Sequence, residues 1–221
     1  MEEVNSIEIP QEETFVEKDI LLKIWTKPRE IFRFITENSI DKYSTTLLVL
    51  AGITRAFDRA SQNNTGDTFP LFIIILFCVI LGGLLGWISF YIYGALLSWT
   101  GKWLKGQGNT DSIVRMLAHA MIPSIVSLLF LIPQMVIMGN GIFQSTFNIF
   151  EHGIVATIIF FTTLLCEIVL GIWTVVLGVI GLSEVQKFSI GNSILNMILP
   201  VLVILIPIIL IILIIFLVGL F

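Results

Sequence analysis

WTGKWLKGQGNTDSIVRMLAHAMIP, Trp99 to Pro123, is a polar, glycine-punctuated joint between two strongly apolar segments. It carries three of the chain's twelve basic residues: Lys102, Lys105 and Arg115. Which side of a membrane this bridge faces decides how every other segment is placed. The flanking apolar runs reach the roughly 18 to 20 residues needed to cross a hydrocarbon layer of about 30 Å. Of the 221 residues, 56% are hydrophobic and only 13% charged, and the mean hydropathy is +0.98. A soluble domain carries nearer a quarter charged residues. The composition specifies an all-α polytopic membrane protein with five transmembrane helices and an N-terminal amphipathic helix. Close helix contacts at small residues, rather than one water-excluding core, should hold it together.

Working outward, the segment 1–19 holds seven acids against Lys18 alone and reads as an acidic, mobile cytosolic tail. The membrane domain occupies 20–221. Its amphipathic helix, about 20–37, places Thr26 as a cap and Pro28 in the first turn, where a missing N–H costs nothing. Ile31, Phe32, Phe34 and Ile35 gather near one face, and Arg29, Arg33 and Glu37 near the other. Such a helix either lies on a membrane surface or packs on the ends of the spans; both readings stand. The spans fall at about 43–60, 70–99, 113–138, 154–182 and 194–220. The first is the weakest, with Arg55, Asp58 and Arg59 at its far end, and reads either as a span or as a re-entrant or surface helix. In the second, Gly82 and Gly86 form a GxxxG spacing suited to helix packing. Pro123 and Pro133 should bend the third.

With the N-terminus cytoplasmic, ten basic residues fall inside and only Arg55 and Arg59 outside. The positive-inside rule then puts the C-terminus outside. No basic and apolar leader is visible at the N-terminus, so the spans themselves should drive insertion.

Glu167 is an acid at mid-membrane depth, where a carboxylate must be protonated, hydrogen-bonded or facing a cavity. It reads either as a proton or cation relay or as a neutral acid satisfied by a hydroxyl such as that of Ser89, Ser124 or Ser127. His119, two turns into the third span near Arg115, is with Glu167 a candidate intramembrane polar site. It reads either as a pH-sensing or metal residue or as a packing histidine, and one histidine makes no metal site. Cys78 and Cys166 sit in apolar runs and behave as small hydrophobes. No HExxH, GxSxG or paired acidic motif is present, and Gly106-Gln107-Gly108 lacks the Lys-Ser/Thr of a phosphate loop. The reading is therefore non-enzymatic, with no cofactor and no metal, and no basic tract for nucleic acid.

Three stretches together resemble the Yip-domain family of Ypt/Rab-interacting membrane proteins in its bacterial form. They are IWTKPREIFRFI (Ile24 to Ile35), GKWLKGQGNTDSIVRMLAHAMIP (Gly101 to Pro123) and IWTVVLGVIGLSEVQKFS (Ile172 to Ser189). The resemblance implies a membrane-embedded, non-enzymatic protein, multi-pass in a bacterial inner membrane. The chain has His119 where the family pattern has a tyrosine near the alanine of its third-span ending. It also lacks the Asp-Leu-Tyr-Gly-Pro motif of eukaryotic members, which argues against direct Rab GTPase binding. The expected role is a scaffold or adaptor engaging lipid, a membrane protein partner or a second copy of itself. Its recognition face would hold Pro28, Arg29, Lys102, Lys105 and Arg115. The alternative is a small proton- or cation-coupled transporter or channel using Glu167.

Overall fold

The computed structural model describes residues 16–218; most of the acidic tail, 1–15, lies outside the described residues. Those described form helices and connecting turns, without a strand. In order they are α1 (Ile20–Lys23), α2 (Pro28–Glu37), α3 (Ser44–Gln62), α4 (Leu71–Trp103), α5 (Thr110–Ala120), α6 (Ile122–Val126), α7 (Leu128–Met138), α8 (Gly153–Gln186) and α9 (Ile190–Val218). Four stretches are long and apolar enough to cross a membrane: Leu71–Trp103, Ile122–Phe143, Ile149–Gln186 and Ile190–Phe216.

Four of the five expected spans are thus among these candidates; α3 is not, because it carries Arg55, Asp58 and Arg59 in its second half. It nevertheless lies against α4 as one arm of an antiparallel hairpin, joined by residues 63–70. Small residues make this possible. A Cβ added to Gly86 would collide with the backbone of Gly52, and one added to Gly82 would come within 2.8 Å of the Ala56 Cβ. The GxxxG pair therefore meets a second small-residue pair, Gly52 and Ala56, on α3.

Two further expectations change. The amphipathic segment is two short helices, and Lys27, not Thr26, precedes α2; the Thr26 hydroxyl bonds back to the Lys23 carbonyl at 3.4 Å. Pro28 does open α2. The helix packs rather than floats: Ile31, Phe32 and Ile35 are buried with Ile113, Met116, Leu177 and Leu182. The third span is also not one bent helix. The helix is interrupted at Met121, ahead of Pro123, and again at Ser127, so the apolar crossing begins at Ile122.

At 1.5 Å per residue, α4 and α8 are each about 50 Å long, well beyond a hydrocarbon layer of about 30 Å. The surplus turns of both helices join α1, α2 and α5 in a buried cluster that forms the head end of the bundle. Turns 63–70 and 139–152 gather at the opposite, loop end around Phe57, Ile74 and Phe143. The first two turns of α9 are bolted to α4: Thr100 Oγ1 donates to Asn196 Oδ1 at 2.9 Å, and the Tyr93 hydroxyl donates to the Met197 carbonyl at 3.3 Å. Beyond Pro200 nearly every α9 side chain is exposed, on a segment of hydropathy 3.6 that lipid can cover.

The α3–α4 contact should fail on any added bulk. Gly86→Val should cost about 3 kcal/mol or more, at the upper end of overpacking penalties. Gly191→Ala, where a Cβ meets nothing within 4 Å, should leave stability unchanged within about 1 kcal/mol. Unfolding titrations of both variants in mixed micelles check the pair.

Candidate functional site

Two polar constellations stand out, one in the head and one among the spans. The head is organised around the buried amide of Gln186, the last residue of α8. Its Nε2 donates to the Leu97 carbonyl at 3.2 Å, and its Oε1 accepts from the Gly108 N–H at 2.9 Å. Its backbone carbonyl accepts from the Gln107 N–H at 3.2 Å. Gly101, Gly106 and Gly108 make room for it: a Cβ on any of them would crowd the Gln186 side chain. Those glycines are why the bridge is punctuated as it is.

Both helices that meet here end alike. Lys105 and Lys187 adopt left-handed backbone angles, with φ of 65° and 58°. The N–H of Gly106 reaches back to the Gly101 carbonyl, and that of Phe188 to the Ser183 carbonyl, the closing bond of a Schellman turn. On the far side of the bridge, Asn109 caps α5, its Oδ1 accepting from the Ser112 N–H at 2.8 Å.

The five residues expected to form a recognition face all lie at the head end, but they do not form one free basic patch. Arg29 Nε reaches Glu184 at 3.2 Å and Arg33 Nε reaches it at 3.5 Å. Glu184 sits in the last turn of α8, where the helix dipole disfavours an acid, so the two arginines offset a local penalty. Arg115 is folded inward, Nε 2.6 Å from Asp41, with its side chain only 13% exposed. Pro28 is half-buried, whereas Lys102 and Lys105 stay exposed without an ion pair among the described residues. Beside them the exposed Trp99 and Trp103 stack edge-on, centroids 5.0 Å apart.

His119 is fully buried, its Nδ1 2.9 Å from the Arg115 carbonyl and its Nε2 without a partner. Burial lowers its pKa from the usual histidine value, which fits the neutral, packed ring. Among the described residues no three His, Cys, Asp or Glu side chains come together as a metal site would require.

The second constellation surrounds Glu167. Its partner is an amide rather than a hydroxyl: Gln134 Nε2 donates to Glu167 Oε1 at 2.9 Å and to Thr163 Oγ1 at 2.8 Å. Ser89 is engaged elsewhere, accepting from Arg55 at 3.3 Å. Ser124 and Ser127 line the same cavity as Glu167, a space of about 520 Å³ between α3, α6, α7 and α8 that also admits Asp58 and Thr54.

Sequence reading found Glu167, which stands alone in an apolar run, but missed Gln186, Glu184, Asp41, Gln134 and Asp58. Gln134 and Asn196 did leave a signal, as single amides inside apolar stretches. Gln186 left none, because a glutamine at a helix end looks like any solvated residue. Truncating Gln186 to alanine would strand the Gly108 N–H and one bond to the Leu97 carbonyl. Gln186→Ala should therefore cost about 2–4 kcal/mol, whereas Lys105→Ala should cost little; thermal unfolding in detergent separates the two.

Searches of curated proteins and of solved structures find no match. The family described as the Yip1 domain matches residues 22–220, a range that takes in the head, the Gln186 turn, the cavity and all four spans. Members of this family are generally not enzymes. The chain belongs to the Yip1-domain family of membrane proteins.

Proposed function

We propose that the protein is a non-enzymatic scaffold or adaptor of a bacterial-type inner membrane, working through its head end on the cytoplasmic side. One observation carries this reading: the head is a prefolded, buried assembly that still presents Lys102, Lys105 and Lys187 exposed and unpaired among the described residues. A surface built rigidly and left charged loses little side-chain and loop freedom when it binds. Arg29, Arg33 and Arg115, by contrast, are engaged within the head, so they shape the surface rather than meet a partner. Its orientation rests on charge. Lys23, Lys27, Arg29, Arg33, Lys42, Lys102, Lys105, Arg115 and Lys187 belong to the head end, against Arg59 near the loop end, and basic residues favour the cytoplasm. The exposed Trp99 and Trp103 suit the headgroup region beside those lysines.

Cysteine mapping tests the orientation in a background where Cys78 and Cys166 are replaced by alanine. Lys105→Cys and Lys187→Cys should react with a membrane-impermeant maleimide in inside-out vesicles and not in intact cells. Labelling in intact cells would overturn the reading. A photo-crosslinker at position 105 in native membranes should capture a discrete protein or lipid adduct. Lys102→Glu should weaken that adduct several-fold while leaving the thermal unfolding midpoint in place.

A further inference from the structure

The cavity beside Glu167 is built differently from the head and is independent of it. α3 sorts its charges by face. Thr54, Asp58 and Ser61, spaced four and three apart, share one side of the helix and line the cavity. Arg55 and Arg59 share another and line a separate groove against α4. There the Arg55 guanidinium lies 4.1 Å from the Phe90 ring centroid. The cavity consequently has two carboxylates and no lysine or arginine in its wall.

Neither carboxylate forms an ion pair among the described residues. Asp58 has no ion pair or hydrogen bond among the described residues. Glu167 receives one amide bond from Gln134. Gln134 is 6% exposed, and its two hydrogen bonds leave its carbonyl oxygen unused at the cavity wall.

The backbone adds to this polarity. The interruption between α6 and α7 at Ser127 falls in the cavity wall. Irregular backbone at membrane depth is tolerated where it is buried in protein or lines a water-filled space. Asn64, Gln144 and Phe147 place one end of the cavity at the loop end, and Ser124 and Gly171 place the other well inside the bundle.

The wall also tells which cation fits. A bare metal ion needs a compact cage of ligands, and no three His, Cys, Asp or Glu side chains among the described residues come together to build one. A volume of about 520 Å³ lies in the range of small-molecule sites, about 300–1,000 Å³. Phe57, Phe147 and Phe160 contribute the aromatic part of an apolar lining completed by aliphatic side chains, and aromatic faces attract alkylammonium groups. We propose that this cavity, reached from the loop end, binds a small organic ammonium ion, with Asp58 and Glu167 supplying the counter-charge and the phenylalanine rings the apolar cradle.

Equilibrium dialysis of the full chain in nanodiscs tests this with radiolabelled choline, tetramethylammonium and tetraethylammonium. Saturable binding of at least one is expected, weakened about tenfold or more by Glu167→Gln and by Asp58→Asn. Arg59→Gln, in the opposite groove, should leave it unchanged. Unlabelled choline should compete, and its uncharged shape analogue 3,3-dimethylbutanol should not. Should Glu167→Gln disturb folding, Asp58→Asn decides the matter, since Asp58 makes no hydrogen bond or close ion pair among the described residues that the change would break. Saturable binding of none of the three cations overturns the proposal. So does binding undiminished by the folded carboxylate variants, or equal displacement by the neutral alcohol.

Discussion

Hydrocarbon offers no hydrogen bonds, and a polar group left bare in it costs several kcal/mol. That constraint sorts the polar side chains of this chain into a few destinations. Some bond back to their own helix, as Thr54 does to the Leu50 carbonyl and Thr174 to the Leu170 carbonyl. Others join helices, as Asn196 joins α9 to α4. The rest collect where water or a ligand can reach them, around Glu167 and Asp58. What remains on the outer surface of α8 and α9 is almost wholly Ile, Leu, Val and Phe.

Because hydrophobic attraction between spans is weak in lipid, packing depends on how closely backbones can approach. The α3–α4 hairpin illustrates the point: glycine on both sides lets α3 lie tightly on α4 despite its charges. The same device recurs in the head, where Gly181 leaves space for Met116 and Phe32. Glycine here sets the geometry of contacts more than the conformation of turns. The left-handed residues just past α2, α3, α4 and α8, namely Ser39, Asn64, Lys105 and Lys187, are in fact not glycine at all.

The apolar spans α4, α8 and α9 were legible because hydropathy over twenty residues or more admits few other readings. The status of α3 was less so: its sequence shows the charges but not that they separate by face into two different cavities. Glu167 was visible as an isolated acid, yet its company was not, since Asp58, Gln134 and Glu167 belong to three distant segments. The basic residues of the head were visible in the sequence, but not how each is engaged. Asp41 and Glu184 lie far from Arg115, Arg29 and Arg33 in sequence, so nothing local announced that those arginines were already engaged. Gln186 shows the same limit, because a side chain that organises a site through backbone groups of a distant loop leaves no local pattern.

The Gln186 joint also has a mechanical meaning. By bonding to the 97–108 region through its amide and its carbonyl, it welds the turn after α4 to the turn after α8. α5 and the start of α9 are carried along through Asn109 and Asn196. The ends of four helices therefore form one plate. Compliance is left to the places where the third span loses its continuous ladder, Met121 and Ser127. The second of these stands in the wall of the acidic cavity, so the break in that span's ladder lies beside the two carboxylates and away from the plate.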